Sequence, residues 1–331
     1  MTTPVPGLTA GSSQVTAGIA LGLAASLAFG TSGVFATPLF EAGWTPGAAV
    51  FWRVLIAAVA LLPFSLWQLR GRFGLLRTQW RPVLGFGVLS VAVSQLCYFA
   101  AVDRMDVGIA LLLEYLAPVA LVLLAWVRTR RSPVPLVLAG VVVSVTGLLC
   151  VLDLAGATPD PLGVVFAFGA MVGAASYFVI AARPSPLPPL ALPGLGLAVG
   201  AVLLGLACLI GILPYAAPLV EVSLLGTHLP WWLPLGVVGL VAGALAYSLG
   251  VAGIARMGER LSSFVSLSEV LFAVLLAALL LHQVPSAVQL TGGVLVVAGV
   301  VLIRLAANRD DPAVPALTAT LPDAEPEPAQ P

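Results

Sequence analysis

Residues 96–152 read LCYFAAVDRMDVGIALLLEYLAPVALVLLAWVRTRRSPVPLVLAGVVVSVTGLLCVL, and residues 245–305 read LAYSLGVAGIARMGERLSSFVSLSEVLFAVLLAALLLHQVPSAVQLTGGVLVVAGVVLIRL. The second stretch repeats the landmarks of the first in order. Tyr98 answers to Tyr247, Val134-Pro135 to Val284-Pro285, Gly140 to Gly292 and Gly147 to Gly299. Both glycine pairs are two helical turns apart, which marks a shared helical face. Working outward, each copy divides into five apolar runs. A repeat with an odd number of crossings must insert upside down relative to its twin, and inverted repeats are a hallmark of alternating-access transport.

The composition requires lipid as a solvent. The chain has 331 residues, 60% of them hydrophobic and only 8% charged, where a soluble domain carries about 25% charged residues. The apolar runs predict helices near 16–37, 47–68, 82–102, 107–127, 134–153, 161–182, 193–213, 231–253, 260–281 and 286–305. Each is about the 20 residues that cross roughly 30 Å of hydrocarbon. The expected organisation is an all-α integral membrane protein of ten transmembrane helices. An N-terminal tail covers 1–15, the first five-helix repeat 16–153, the second 161–305 and a Pro- and acid-rich tail 306–331. Both tails read as disordered.

The basic residues orient the chain. All 14 are Arg. Arg70, Arg72, Arg77, Arg81, Arg128, Arg130, Arg131, Arg183, Arg256, Arg260, Arg304 and Arg309 fall on the side that also holds the N-terminus. The opposite side receives Arg104 alone, beside Asp103 and Asp106. The positive-inside rule therefore predicts both termini in the cytoplasm, in a cytoplasmic membrane. Trp67, Trp80 and Trp126 fall at predicted cytoplasmic ends, and Trp44, Trp231 and Trp232 at outer ends, as an interfacial aromatic belt. The three cysteines, Cys97, Cys150 and Cys208, lie in apolar runs and read as small buried hydrophobes.

The two halves resemble the paired EamA domains of the drug/metabolite transporter superfamily. The resemblance covers about 16–305. It rests on FWRVLIAAVALLPF (51–64), LLLEYLAPV (111–119) and the glycines of the fifth helix, then on LSEVLFAVLLAALLL (267–281) and QLTGGVLVVAGVVLIR (289–304). It implies a ten-helix inverted-repeat fold, with a central cavity lined by helices one to four and six to nine. It implies carriage of small organic solutes, often outward. Two places depart from the family's pattern. Its Gly-Glu pair at the end of the ninth helix is replaced by His282-Gln283. Its Leu-x-Pro is kept as Leu116-Ala117-Pro118, but the repeat partner reads Leu267-Ser268-Glu269.

The residues themselves nominate a site. A charge inside a span costs at least about 2.5–3.5 kcal/mol, so it faces a cavity or a partner. Arg53, Glu114 and Glu269 are the three such side chains. Arg53 and Glu114 sit at matching depths, about 9 and 10 Å from the outer end at 1.5 Å per residue. Either Arg53 receives a substrate carboxylate with Glu114 as counter-ion, or the two form a structural pair. Glu269, near mid-membrane, is either a proton-coupling carboxyl or a neutral acid that locks helices together. Ser262, Ser263, Ser266 and Glu269 recur along one face. Tyr98, Tyr177, Tyr247 and Trp52 are cavity candidates or packing filler. Pro118, which removes a mid-helix hydrogen bond, is a hinge candidate; its repeat partner is Glu269, so any bend is expected on one side only. Gly196 and Gly200 predict close helix contact.

The expected function is a secondary transporter, an exporter of small metabolites such as amino acids or toxic compounds, with proton coupling as one option. The expected partners are a small-molecule substrate and the lipid bilayer, with no nucleic acid. No cofactor, metal site or catalytic motif is expected, and nothing in the sequence specifies an oligomeric state. A non-transporting scaffold or sensor is the alternative. A lipid-processing membrane enzyme is a weaker one, since His228 and His282 stand apart from any acidic cluster.

Overall fold

The computed structural model describes residues 12–130, 133–151, 160–181 and 185–307. Most of both expected tails lies outside the described residues, as do most of the 153–161 connection, Arg131, Arg183, Arg309 and the side chains of Arg260 and Ser263. The described chain is helical apart from one short hairpin. Its first repeat holds α1 (Ser12–Glu41), α2 (Pro46–Gln68), α3 (Leu75–Gly85) and α4 (Ser94–Val102). It continues with α5 (Val107–Glu114), α6 (Ala117–Thr129) and α7 (Pro135–Val151). The second repeat holds α8 (Pro161–Ala181), α9 (Ala191–Leu209), a hairpin of β1 (Val222–Leu224) and β2 (Thr227–Leu229), then α10 (Trp232–Gly236), α11 (Ala246–Val265), α12 (Ser268–Leu280) and α13 (Ala287–Ala307).

Among the described residues, seven helical stretches are long and apolar enough to cross a membrane: Gln14–Glu41, Pro46–Gln68, Leu75–Val102, Val107–Arg128, Ala191–Leu209, Trp232–Met257 and Ala287–Leu305. Three further apolar helices, Pro135–Val151, Pro161–Tyr177 and Ser268–Leu280, are shorter. Local chemistry sets some ends. Gly43 turns the chain at φ +91, a conformation that costs glycine nothing. Thr45 then caps α2, accepting from the Ala48 N–H at 3.4 Å, with Pro46 in the first turn.

Both repeats carry the same two irregularities. A π-helical segment interrupts the third predicted helix at Phe86–Val93 and the eighth at Val237–Leu245. A two-residue break interrupts the fourth at Tyr115-Leu116 and the ninth at Ser266-Leu267. Pro118 stands in the first turn of α6, just after its break. The second break forms without any proline, so the interruption is two-sided, contrary to the expectation from sequence.

The chain also reverses inside α11, which is helical through the loop expected near 254–259. Tyr247 packs edge-on to Phe29 at 5.2 Å, and Ser26 donates to the Val265 carbonyl at 3.4 Å. Those two α1 residues are less than one turn apart. A straight helix would carry residues 247 and 265 about 27 Å apart, so the path runs down α1 to Gly18, which meets Met257, and back up.

The repeats exchange contacts reciprocally. The π segment of the first packs on α9, where Gly87 meets Val199 and Gly200 meets Val91. The π segment of the second packs on α2, where Gly239 meets Ile56 and Gly243 meets Ala57. The contact of Gly196 and Gly200 with Phe86 and Val91 is the close helix approach that their spacing suggests. The α7–α13 pair packs through glycine. A Cβ on Gly140 would lie 2.7 Å from the Gly299 carbonyl oxygen, and one on Gly147 would lie 2.6 Å from that of Gly292. In repeat terms, each glycine meets its neighbour's counterpart, which is the self-complementary pattern of a two-fold contact.

One segment departs from the belt reading. Trp67, Trp80, Trp126 and Trp232 are exposed, but Trp44 is 3% exposed. Its indole donates to the Pro218 carbonyl at 2.9 Å, under the stretch that joins α9 to the hairpin. The same stretch is tied to Thr45, whose N–H and hydroxyl donate to the carbonyls of Ala216 (3.0 Å) and Pro214 (2.8 Å).

Candidate functional site

Arg53 is carried inward by α2, one turn before the residues that meet the second repeat's π segment. It is 5% exposed. Its guanidinium carbon lies 5.2 Å from the centre of the Phe99 ring, a cation–π contact from α4. Its Nη1 is buried and has no hydrogen-bond partner among the described residues. Arg53 shares its surroundings with Tyr247, Tyr98, Glu114 and Glu269, which are the groups that act on it electrostatically. Those neighbours come from both repeats, Tyr98 and Glu114 from the first and Tyr247 and Glu269 from the second.

The depth match between Arg53 and Glu114 does not become an ion pair. Among the described residues, the ion pairs are those of Arg104 with Asp103 (3.2 Å) and Asp160 (3.7 Å). Glu114 ends α5 and its Oε1 instead accepts from the Ser94 hydroxyl at 3.4 Å. Ser94 is itself 2% exposed and shared with the Ala170 carbonyl at 3.3 Å.

Glu269 lies in the first turn of α12. Its Oε2 accepts from the Tyr115 hydroxyl at 2.8 Å, and that hydroxyl is also 3.0 Å from the Ser266 carbonyl oxygen. Tyr115 belongs to the break in the first repeat and Ser266 to the break in the second. One phenol oxygen thus ties the two interruptions together. Ser262 enters through its carbonyl, which accepts from the Ser266 N–H at 2.9 Å.

The remaining candidates divide. Tyr98 is 5% exposed, with its hydroxyl against Gly33 of α1 and its ring 5.9 Å from Phe99. Tyr247 packs on Phe29, and Tyr177 on Phe86 at 5.6 Å. Trp52 points elsewhere: its indole donates to the Tyr215 hydroxyl at 3.0 Å, and Tyr215 is 49% exposed. The adjacent residue on a helix is turned about 100°, which separates Trp52 from Arg53.

Sequence reasoning passed over Tyr115, Ser94 and Phe99. Tyr115 stands beside Glu114 in the quoted LLLEYLAPV, but a regular helix would send two consecutive residues in different directions. The break at Tyr115-Leu116 removes that constraint. Gln283 was visible only as a departure from a motif. Its Oε1 accepts from the Val107 N–H at 3.2 Å, at the start of α5, satisfying one of the four free donors there. His282 beside it has φ +56, the region that favours the glycine it replaces. Among the described residues no cluster of three His, Cys, Asp or Glu occurs.

The comparisons agree with this architecture. The model of the EamA-like transporter family matches residues 16–153 and again 161–305. No curated protein matches the chain. A protein known from a crystal structure is similar over 89% of this chain and 98% of its own, at 20% identity and a TM-score of 0.59; that likeness concerns the fold alone. Two matched copies that span nearly all the helices, on a set of apolar helices of membrane-crossing length, identify a multi-pass membrane protein: the chain belongs to the EamA-like transporter family, whose members are transporters rather than enzymes.

Proposed function

We propose that the protein is a secondary carrier that exports small organic metabolites across the cytoplasmic membrane by alternating access, with Glu269 as its proton-coupling carboxyl. The observation that carries this reading is that Glu114 and Glu269 stand beside matching interruptions of the two repeats, which the Tyr115 hydroxyl joins, with Arg53 buried on α2 under Phe99. Buried ionisable groups at the junction of two repeats are where carriers hold solute and coupling ion. The reciprocal glycine contacts of α7 with α13 support an inverted pair of repeats.

In this reading the three shorter apolar helices are crossings as well, which makes ten. The 13 residues of α12 span only about 20 Å at 1.5 Å per residue, but helix continues on the far side of the Ser266-Leu267 break. An even number of crossings and the Arg distribution put both termini in the cytoplasm. Reporter fusions at the two ends test this; termini on opposite faces would overturn it.

Proteoliposomes test the activity. Labelled organic solutes should undergo counterflow, and a pH gradient should drive their flux. Glu269→Gln should abolish the gradient-driven part while protein still reaches the membrane. Unchanged pH-driven flux removes the proton role, and absence of counterflow across a broad metabolite set removes the carrier reading.

A further inference from the structure

We propose that the outward face of α3, built by Arg77, Trp80, Arg81 and Leu84, docks an anionic phospholipid of the cytoplasmic leaflet, its phosphate held by the two guanidinium groups. The proposal goes beyond the carrier reading and takes from it only the topology, which puts the turn between α2 and α3 on the cytoplasmic side.

α3 has little protein to rest on. Of its 11 residues only Val83 is buried. Leu75, Leu76, Gln79 and Pro82 are half-buried, on the side where the Ser185 hydroxyl of the second repeat donates to Gln79 Oε1 at 3.5 Å. The other side is exposed. Arg77, Trp80, Arg81 and Leu84 follow one another at helical spacings and share that face. The Arg81 guanidinium carbon lies 5.4 Å from the centre of the Trp80 ring, which holds charge and indole at one level.

Neither bulk water nor hydrocarbon suits such a face. The continuous stretch Leu75–Val102 has 28 residues, where about 20 cross the hydrocarbon. The surplus falls at the end that holds its two charged residues, Arg77 and Arg81, and so at headgroup level. Charge then selects the headgroup. Arg70, Arg72, Arg77 and Arg81 are all exposed, and none forms an ion pair among the described residues. No acidic residue occurs from 42 to 102, nor from 185 to 190 beside Gln79. Gly71 turns the chain between Arg70 and Arg72 at φ +75, with nothing within 4 Å of where a Cβ would stand, so the turn is open to the same layer. Guanidinium groups with no protein carboxylate match phosphodiester oxygens, which accept paired N–H bonds, and a basic face beside an anionic leaflet is drawn to it. Leu84 follows Trp80 by one turn toward the hydrocarbon, in line with the acyl chains of a lipid whose headgroup meets the indole level.

The test counts bound lipid on the purified full chain. Native mass spectrometry in detergent compares dioleoyl phosphatidylglycerol with dioleoyl phosphatidylcholine, which differ in headgroup charge but not in acyl chains. Phosphatidylglycerol should bind about tenfold or more tightly, and added salt should narrow the gap. Arg77→Gln combined with Arg81→Gln should remove most of the preference. Arg128→Gln combined with Arg256→Gln, which takes two exposed charges from α6 and α11 on the same predicted side, should leave it. Both double variants should keep their thermal midpoint in phosphatidylcholine, since all four arginines are exposed.

Equal binding of the two lipids overturns the proposal, as does a preference that survives loss of Arg77 and Arg81 or falls equally with loss of Arg128 and Arg256. Displacement of the lipid by inorganic phosphate, beyond that caused by chloride at equal ionic strength, would give the face to a free anion. A doubled mass that disappears with Arg77 and Arg81 would give it to a second copy of the chain. Either result overturns the proposal too. Detergent micelles have no sides, so these measurements are independent of topology. Reporter fusions that put the termini outside would overturn the choice of leaflet and leave headgroup binding intact; loss of headgroup selectivity with the termini inside would overturn the site and leave the topology. Counterflow bears on neither.

Discussion

Replacing Tyr115 with Phe removes a single oxygen atom, and that atom joins the interruptions of the two repeats. It lies 2.8 Å from Glu269 Oε2 and 3.0 Å from the Ser266 carbonyl. A phenol has one proton, so it donates fully to one acceptor, and the shorter contact is the one to the carboxyl. The Ser266 carbonyl keeps the Glu269 N–H at 3.1 Å in either case. The loss is therefore one strong hydrogen bond, with no buried carbonyl left bare. A bond to a charged group contributes about 1.5–3 kcal/mol in soluble proteins. Inside membranes, double-mutant cycles average about 0.6 and reach about 1.7 kcal/mol, because the unfolded helices find other partners. The membrane value governs here, at its upper end, since the acceptor is a carboxyl on a broken helix. We expect Tyr115→Phe to destabilise the protein by about 1–2 kcal/mol and to couple with Glu269→Ala by about 1 kcal/mol or more. Reversible unfolding in bicelles, run as a four-protein cycle, measures both numbers. Additive effects of the two substitutions would refute the argument, since they would mean the 2.8 Å contact carries no energy.

Two further predictions concern the frame. His282→Gly should raise stability by up to about 1 kcal/mol, because φ +56 is strained for a residue with a Cβ; an unchanged or lowered thermal midpoint in detergent would contradict it. Gly147→Val should cost about 3 kcal/mol or abolish folding, because the first side-chain atom already meets the Gly292 carbonyl oxygen. Gly250→Ala is its control, since a Cβ there would meet only Ala25 at 3.9 Å, and a folded, stable Gly147→Val would refute the close α7–α13 contact.

The parts of the fold legible in the sequence are those that depend on solvent. Burial in lipid demands long uncharged runs, and such runs need no knowledge of neighbours to be recognised. Boundaries such as Pro46, Pro135 and Pro161 are legible for the same local reason, since proline suits a helix start. Irregularities inside helices were not. The π segments at Phe86–Val93 and Val237–Leu245 carry no proline, and the break at Ser266-Leu267 has none either. The π segments pack on α9 and α2 of the opposite repeat, and the break at Ser266-Leu267 meets Tyr115, contacts that no local pattern announces.

The site divides along the same line. Arg53, Glu114 and Glu269 announce themselves because a charge in an apolar run is expensive wherever it points. Their partners do not. Nothing in the order of residues says that Ser94, not Arg53, meets Glu114, or that Trp52 turns to Tyr215 on an exposed loop.

What the sequence alone determined is a duplicated, lipid-embedded set of helices with three charged residues inside it, because hydropathy and repetition are properties of the chain taken one segment at a time. What only the tertiary structure decided is who meets whom: Tyr115 bridging the two breaks, and Arg53 left without an acceptor under Phe99. Hydrogen bonds and ion pairs depend on distances of a few tenths of an ångström between residues far apart in the chain, and helix packing sets those distances.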